Sequence, residues 1–319
     1  MSDGKRKAPH ALAVDLGGTK CAVAVITPSG RIVARKTVYV DTSSPSAPVT
    51  QIIHLAQELA GAKKLTKAFA AAAVAVPGLV RRNGTVWAPN LPGWNKVPLA
   101  KHLQHALGLP IIVESDRNVA VLGESWIGAA RGKSDVIVLM IGTGIGAGIL
   151  SGGRVIRGAH ELSGCAGWLT ITREHVAAAQ GSGELESLAA GPGIAQTAQQ
   201  RLRAGEASSL AQLDTSKITA HDVASAARSG DGLALDVFMR AGRFLGFGIA
   251  NLVSILDPEV IVLGGGMSAV ADLYLPALRS AMLERAQPLA AKKLKIVVSK
   301  LADTVNLLGC ARLVWERST

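Results

Sequence analysis

The sequence predicts an α/β protein built from a duplicated lobe, and three observations carry that expectation. First, Asp15-Leu16-Gly17-Gly18-Thr19-Lys20 lies between the apolar runs Ala11–Val14 and Ala22–Ile26. Second, Gly142-Thr143-Gly144-Ile145-Gly146-Ala147-Gly148 lies about 127 residues further on, between Val136–Ile141 and Ile149–Leu150. Third, each second run leads into a turn and then a basic–apolar–apolar stretch, Gly30-Arg31-Ile32-Val33 in one case and Gly153-Arg154-Val155-Ile156 in the other. Glycine lets a backbone approach a ligand and aim its N–H groups at it, which suits phosphate oxygens. Ordinary turn geometry would account for either hairpin alone. A matched pair is what a cleft gripping a polyphosphate from both sides requires. Neither segment is a Walker A loop or a dinucleotide fingerprint.

The remaining elements follow in order. After the first hairpin, Pro45 and Pro48 sit in a polar link, and Ile52, Leu55, Ala56 and Leu59 keep helical spacing up to Gly61. Phe69–Val76 reads as a buried strand ending at Pro77-Gly78, and Asn83-Gly84 as a turn. Trp87 to Trp94, with Pro89, Asn90, Pro92 and Gly93, reads as an irregular loop. A helix from Pro98 to Leu107 and a strand from Ile111 to Glu114 close a first lobe of residues 1–115. A second lobe, 116–304, opens with a helix from Asp116 through Ala130 and repeats the hairpin. A long helical portion from Glu184 to Leu256 follows, then a strand Val260–Leu263 ending in Gly264-Gly265-Gly266. Leu273–Ala286 reads as helix, Leu294–Val298 as strand and Val305–Glu316 as a terminal helix.

Composition excludes several classes. At 319 residues and 49% apolar, the chain can bury a substantial core in one or two domains. Its most apolar long stretch, Leu233–Leu256, contains Asp236, Arg240, Arg243 and Asn251, so a buried helix is expected, with no membrane partner. No secretory apolar region follows Lys5-Arg6-Lys7, which points to a cytoplasmic protein. The net charge of +11 is spread over Lys63, Lys64, Lys67, Arg81, Arg82, Lys292, Lys293 and Lys295, while aromatics make up only 3%. Stacking platforms are therefore scarce, and no nucleic-acid partner is expected. Cys21, Cys165 and Cys310 are odd in number and far apart, which fits buried free thiols and no disulfide framework.

Taken together, Asp15–Lys20, Pro77-Gly78, Gly142–Gly148 and Val262-Leu263-Gly264-Gly265-Gly266 resemble the ROK family of repressors, open reading frames and kinases, from about Ala11 to Leu313. The resemblance implies a two-lobed actin-like sugar-kinase fold of duplicated ribonuclease H-like lobes with a cleft between them. It also implies that the terminal helix, 305–319, packs back on the first lobe. The activity it implies is ATP- and Mg²⁺-dependent phosphorylation of a hydroxyl on a glucose-like hexose or hexose derivative, by a homodimer. Asp15, Gly17, Gly18, Thr19, Lys20, Gly142, Thr143, Gly144 and Gly146 would then hold the phosphates, and Gly264, Gly265 and Gly266 the adenosine. Gly78, Asn90, Ser115, Asp116 and Glu186 would meet the sugar, with Asp116 as base. The first strand begins close to Ala11, which leaves no room ahead of it for the helix-turn-helix domain of the repressor branch and favours the kinases.

Plain readings stand beside these. Asp116 equally suits a helix N-cap, Asn90 an Asx turn, and Glu186 an exposed acid at a helix start. The chain also departs from the family. Ser115 replaces an asparagine, and Ser163-Gly164-Cys165-Ala166-Gly167-Trp168 stands where the family reads Ala-Gly-Glu-x-Gly-His. A sugar-binding glutamate is thus Cys165, and a histidine that binds sugar or zinc is Trp168. Residues 169–186 hold no cysteine and only His175, so no structural zinc is expected. Trp168 would stack on a sugar face or an acyl group, or fill the pocket. The altered pocket raises a second reading, a sugar or nucleotide sensor without useful catalysis, and the basic charge a further one, a polyphosphate donor.

Overall fold

The computed structural model describes residues 9–61, 69–172 and 182–316. The chain divides into two units, Met1–Gly132 with Arg157–Ser163 and Asp303–Thr319, and Lys133–Ile156 with Gly164–Ala302.

Unit 1 is built on a five-stranded sheet. Its strands are β1 (His10–Leu16), β2 (Lys20–Ile26), β3 (Ile32–Tyr39), β4 (Phe69–Val76) and β7 (Ile111–Ser115), in the order β3-β2-β1-β4-β7. A small ribbon pairs β5 (Leu79–Val80) with β6 (Val86–Trp87). β1, β2 and β3 form an antiparallel meander, and β4 and β7 add in parallel. β1, β2 and β4 are buried almost throughout, which is why they read as unbroken apolar runs and do not alternate. One face is covered by helices α1 (Ala47–Ala60) and α2 (Leu99–Leu107), which seat Ile52, Leu55, Leu99 and Leu103 against Leu12, Val14 and Val74. α3 (Asp116–Ile127) leaves the end of β7.

Unit 2 repeats the plan with β8 (Val136–Ile141), β9 (Ile145–Ser151), β10 (Arg154–Val155), β11 (Val260–Gly264) and β12 (Lys295–Val298), in the order β10-β9-β8-β11-β12. The antiparallel hairpin sits in the same place in each sheet, followed by two parallel strands. The predicted long helical portion resolves into α4 (Glu184–Ala189), α5 (Gly191–Arg203), α6 (Ala220–Arg228) and the 25-residue α7 (Gly232–Leu256). α7 packs against α8 (Ala271–Arg285) at Gly242 and Gly246, where a methyl group would lie 2.4 Å from the carbonyl oxygens of Tyr274 and Leu278. A short α9 (Pro288–Lys293), capped by the Gln287 side chain, had no counterpart in the sequence reading. Among the described residues, no helix is long and apolar enough to cross a membrane.

Two expectations need correction. The expected boundary at 115/116 gives way to one after Gly132, because α3 packs on α10 (Val305–Glu316) within unit 1. Glycines bring these two helices into backbone contact. A methyl on Gly309 would fall 1.8 Å from the Val119 carbonyl oxygen, and one on Gly123 2.5 Å from that of Val305. The segment 157–163 also joins unit 1, tied there by Arg157 to Glu114 and by Glu161 to Arg82. Second, the loop expected over Gly142–Gly148 is shorter. Only Gly142–Gly144 turn, whereas Gly146 and Gly148 lie in β9 opposite Met140 and Val138.

Candidate active site

In unit 1 the first glycine turn joins β1 to β2, closed by the Gly17 N–H donating to the Lys20 carbonyl at 2.9 Å. It borders a cavity of about 620 Å³ lined by Asp15, Gly17–Lys20, Arg35 and Asp303. Asp15 lies in β1 between the buried Val14 and Leu16, and its Oδ1 accepts a hydrogen bond from Asn306 Nδ2 at 3.1 Å. Burial raises its carboxyl to about 6, against the Asn306 bond, and the nearby Asp116 charge adds to the rise. The Asn306 Oδ1 is itself buried without a partner. The Asp15 carboxylate and the orphaned Asn306 oxygen beside it fit a divalent cation bound through one or two carboxylates, with substrate phosphates supplying the rest. Among the described residues, no three of His, Cys, Asp and Glu converge as a metal cage would require. His175, the sole candidate zinc ligand in its stretch, lies outside the described residues.

Asp116 stands at the corner where β7 becomes α3. The N-cap reading does not hold for it, because the cap position is Ser115 and Asp116 is the first helical residue. Its Oδ1 accepts from the adjacent Arg117 N–H at 2.7 Å and a long 3.4 Å bond from Ser115 Oγ, while Oδ2 engages no described residue. Burial raises its pKa, partly offset by the Arg117 N–H and the Arg117 charge. Such a carboxylate is a stronger base than a solvated one.

The corner is held by Glu114, 7% exposed, which sequence reasoning did not single out as a site residue. Its Oε1 accepts from the Ser115 N–H and from Asn118 Nδ2, each at 3.0 Å. Its Oε2 takes Arg157 Nε at 2.8 Å and Nη2 at 2.7 Å, a two-pronged charged pair. Arg117 Nη2 donates to the Glu161 carbonyl at 3.1 Å. Glu114 and Arg117, on either side of Asp116, are thus tied to the Arg157 side chain and the Glu161 carbonyl, 43 and 44 residues further along, a pairing that no local pattern announces.

Among the other predicted sugar contacts in unit 1, Asn90 is exposed and packs against the turn, where a methyl on Gly18 would lie 3.2 Å from its Cβ. The Asx-turn alternative fails chemically, since the residue two further on is Pro92, which has no N–H to donate. Gly78 has a structural reason, because a methyl there would fall 2.2 Å from the Trp87 carbonyl oxygen.

In unit 2 the glycines sort into two kinds. A methyl on Gly144 would lie 2.6 Å from Glu186 Oε2, the movable end of a side chain. One on Gly264 would lie 2.8 Å from Met140 Sδ, which can likewise shift. Gly265 is required by its φ of +78° and by the Ile141 carbonyl oxygen at 2.4 Å. Gly142 and Gly266 are required by nothing of the kind. A methyl on Gly266 would meet no atom within 4 Å, and one on Gly142 would meet only the Gly266 nitrogen at 3.8 Å. Two bare backbone positions from different segments thus border the same open space, beside the exposed Thr143.

Glu186 lies in the first turn of α4 but is not a free acid there. Its Oε2 accepts the Ile145 N–H at 2.7 Å, which anchors the second hairpin. A methyl on Gly167 would also crowd that oxygen at 3.0 Å. Trp168, which ends the short turn Ala166–Trp168, is 62% exposed, and Cys165 is partly buried. The other thiols are inert. Burial pushes Cys21 up to about 12 and Cys310 well above its ordinary value.

Comparisons with known proteins bear on the chain as a whole. The model of the ROK family matches residues 11–317. A glucokinase of Halalkalibacterium halodurans is 33% identical over 312 residues, covering 95% of this chain and 94% of its own. The crystal structure of a ROK family glucokinase from Streptomyces griseus in complex with glucose and AMPPNP superposes with a TM-score of 0.78 at 29% identity, over 96% of this chain and 99% of that one. A ROK family transcriptional regulator, a homolog of the Escherichia coli MLC protein, superposes with a TM-score of 0.86 at 26% identity, over 96% of this chain and 78% of its own.

Proposed function

Because the chain belongs to the ROK family, we propose that it is a kinase transferring the terminal phosphoryl group of ATP to a hydroxyl of a glucose-like hexose or hexose derivative. The observation that carries this reading is Asp116, a carboxylate of raised pKa with one oxygen fixed by the Arg117 N–H and the other open to a substrate hydroxyl. A sensor has no physical need of such a base. The glucokinase relatives, one of them seen with glucose and AMPPNP, support the same substrates here.

Each residue then has a task. Asp116 Oδ2 accepts the hydroxyl proton, and the Arg117 N–H and the Glu114–Arg157 pair keep that carboxylate aimed. Ser115, Asn90, Gly78 and Glu186 border the sugar in this reading, with Glu186 acting through the hairpin it anchors. Asp15, with Asn306, would hold Mg²⁺, which when bound neutralises charge on the phosphates. Lys20, Thr19 and the Gly17-Gly18 backbone meet phosphate oxygens, and Thr143, Gly144 and Gly146 shape the second phosphate loop. Gly142 and Gly266 leave room for the nucleotide, and Gly264-Gly265 hold that segment against β8. A cytoplasmic homodimer without structural zinc completes the proposal.

A second reading is favoured by one observation. One oxygen of the Glu186 carboxylate is taken by the Ile145 N–H, and Cys165 and Trp168 stand where the family has a sugar-binding glutamate and a histidine that binds sugar or zinc. A pocket so depleted discriminates less among hydroxyl patterns, as a sensor that binds without turnover would tolerate. An ADP-release assay with Mg²⁺–ATP and a panel of hexoses, amino sugars and N-acetylated sugars separates the two. Sugar-dependent turnover supports the kinase, and nucleotide binding without turnover on any sugar supports the sensor.

A further inference from the structure

The cavity under the first glycine turn contains a cation that neither the motifs nor the catalytic scheme uses. Arg35 lies on β3, where strand register puts Asp15, Ala22 and Thr37 in one row and Ala13, Ala24 and Arg35 in the next. Paired residues on antiparallel strands share a face, and so do residues two apart on one strand, so Arg35 and Asp15 point to the same side of the sheet. Of the alanines between them, Ala22 lines the cavity and leaves it space. Arg35 and Lys20 supply two positive charges to its wall, and Asp15 and Asp303 two negative ones.

The bonding of Arg35 is incomplete. Its Nη2 donates to Asp303 Oδ2 at 2.6 Å, but its Nε is buried with no partner. The two ends of this ion pair differ in exposure, since the Arg35 side chain is 25% exposed and that of Asp303 is 75% exposed. An exposed carboxylate returns to water at little cost, whereas a partly buried guanidinium with an idle N–H is set to donate to a second oxygen. Phosphate offers paired oxygens at the spacing a guanidinium fork matches, and more charge than one carboxylate.

We infer that Arg35 is a phosphate-binding residue whose guanidinium rests on Asp303 until a polyphosphate chain enters the cavity and displaces that carboxylate. The inference rests on the kinase reading and deepens it by naming a residue for the phosphate chain. In the resting arrangement the two acids balance the two cations. Release of Asp303 leaves the cavity net positive for an anion, and Lys20, whose charge also acts on Asp303, stays in place. No covalent bond changes in this exchange.

The two partners therefore have opposite effects on affinity, which a mere structural tie between β3 and the start of α10 does not give. Calorimetric titrations of Mg²⁺–ATP, tripolyphosphate and adenosine into wild type, Arg35→Met and Asp303→Asn test it. Arg35→Met is expected to weaken ATP and tripolyphosphate by roughly 10- to 100-fold, as loss of a charged hydrogen bond does, and to leave adenosine unchanged. Asp303→Asn is expected to tighten both polyphosphates by about 2- to 5-fold, the scale of an exposed ion pair. ATP affinity unchanged in Arg35→Met, or weakened in Asp303→Asn, overturns the inference alone. A folded wild type that binds neither ATP nor tripolyphosphate overturns it together with the kinase reading.

Discussion

The two glycine hairpins occupy the same place in two sheets of the same strand order, yet they are furnished differently. The first, in unit 1, is surrounded by charge: Asp15 before it, Lys20 after it, and Arg35 and Asp303 along the cavity wall. The second, in unit 2, brings no charged side chain of its own. It is tied down by Glu186 through the Ile145 N–H and turns bare backbone, Gly142 and Gly266, toward open space. Duplication supplied one scaffold twice, and the copies diverged in what they present. Charge suits metal and phosphate oxygens, while bare backbone suits close approach of a bulky ligand.

The largest effect expected belongs to neither hairpin but to the corner at Asp116. Asp116→Asn should lower sugar-dependent turnover by roughly 10²–10⁴-fold with nucleotide binding retained, as removal of a general base does. The activity of wild type should also fall on acidification at a pH above the ordinary aspartate range, since burial raises the Asp116 pKa and the base works only when deprotonated. Near-normal turnover of the variant, measured by ADP release, removes Asp116 from the mechanism.

A smaller effect, on folding, separates structural glycines from those kept for a ligand. Gly265→Ala forces a methyl into the left-handed region and onto the Ile141 carbonyl oxygen, so thermal or denaturant unfolding should show a loss of about 2–4 kcal/mol. An unchanged midpoint would mean that the segment after β11 shifts freely, and the distinction between Gly265 and Gly266 would fail.

Next comes the support of the corner. Glu114→Gln leaves the Arg157 guanidinium without its carboxylate, and because Arg157 is 37% exposed the loss should be about 1–3 kcal/mol, less than for a fully buried pair. The same variant should lower kcat more than it raises the KM for ATP, since it loosens Asp116 and leaves the phosphate loops alone. An equal change in both would assign Glu114 to general stability.

The smallest effect sharpens the charged side of the comparison. Asp15 holds its proton more tightly when folded, at about 6 against 3.8 unfolded. The folded state therefore binds more protons through this window, so the stability that the protonated carboxyl contributes is complete below pH 3.8 and is lost as pH rises toward 6. Asp15→Asn removes that loss. At pH 7 it should be more stable than wild type by on the order of 1 kcal/mol, discounted because Asp15 is partly exposed. Parallel melting curves for the two proteins from pH 4 to 7 would contradict the burial of a charged Asp15.

Much of the fold was legible because covered parallel strands need unbroken apolar runs and hairpins need glycine. β1, β4, β8 and β11 announce themselves in this way, and the order of motifs identified the family. What the sequence withheld depends on neighbours distant along the chain. Arg35 meets Asp303, and Asp15 meets Asn306, only because α10 returns to the first sheet. Arg157 reaches Glu114 because a seven-residue segment, 157–163, joins unit 1. The boundary failed for the same reason, since the packing of α3 on α10 has no local signature. Glycines likewise look alike in a sequence, and only the Ile141 backbone reveals that Gly265 is one the fold itself demands.

The most direct test of that division of labour is the titration of Mg²⁺–ATP into wild type, Gly266→Ala and Gly266→Leu, with melting curves run on the same samples. Wild type and Gly266→Ala should melt alike, because nothing lies within 4 Å of the added methyl. Affinity should fall in step with side-chain size, slightly for alanine and severely for leucine. Unchanged ATP affinity in a folded Gly266→Leu would show that the nucleotide does not use this surface, and the role given to the second hairpin would be wrong.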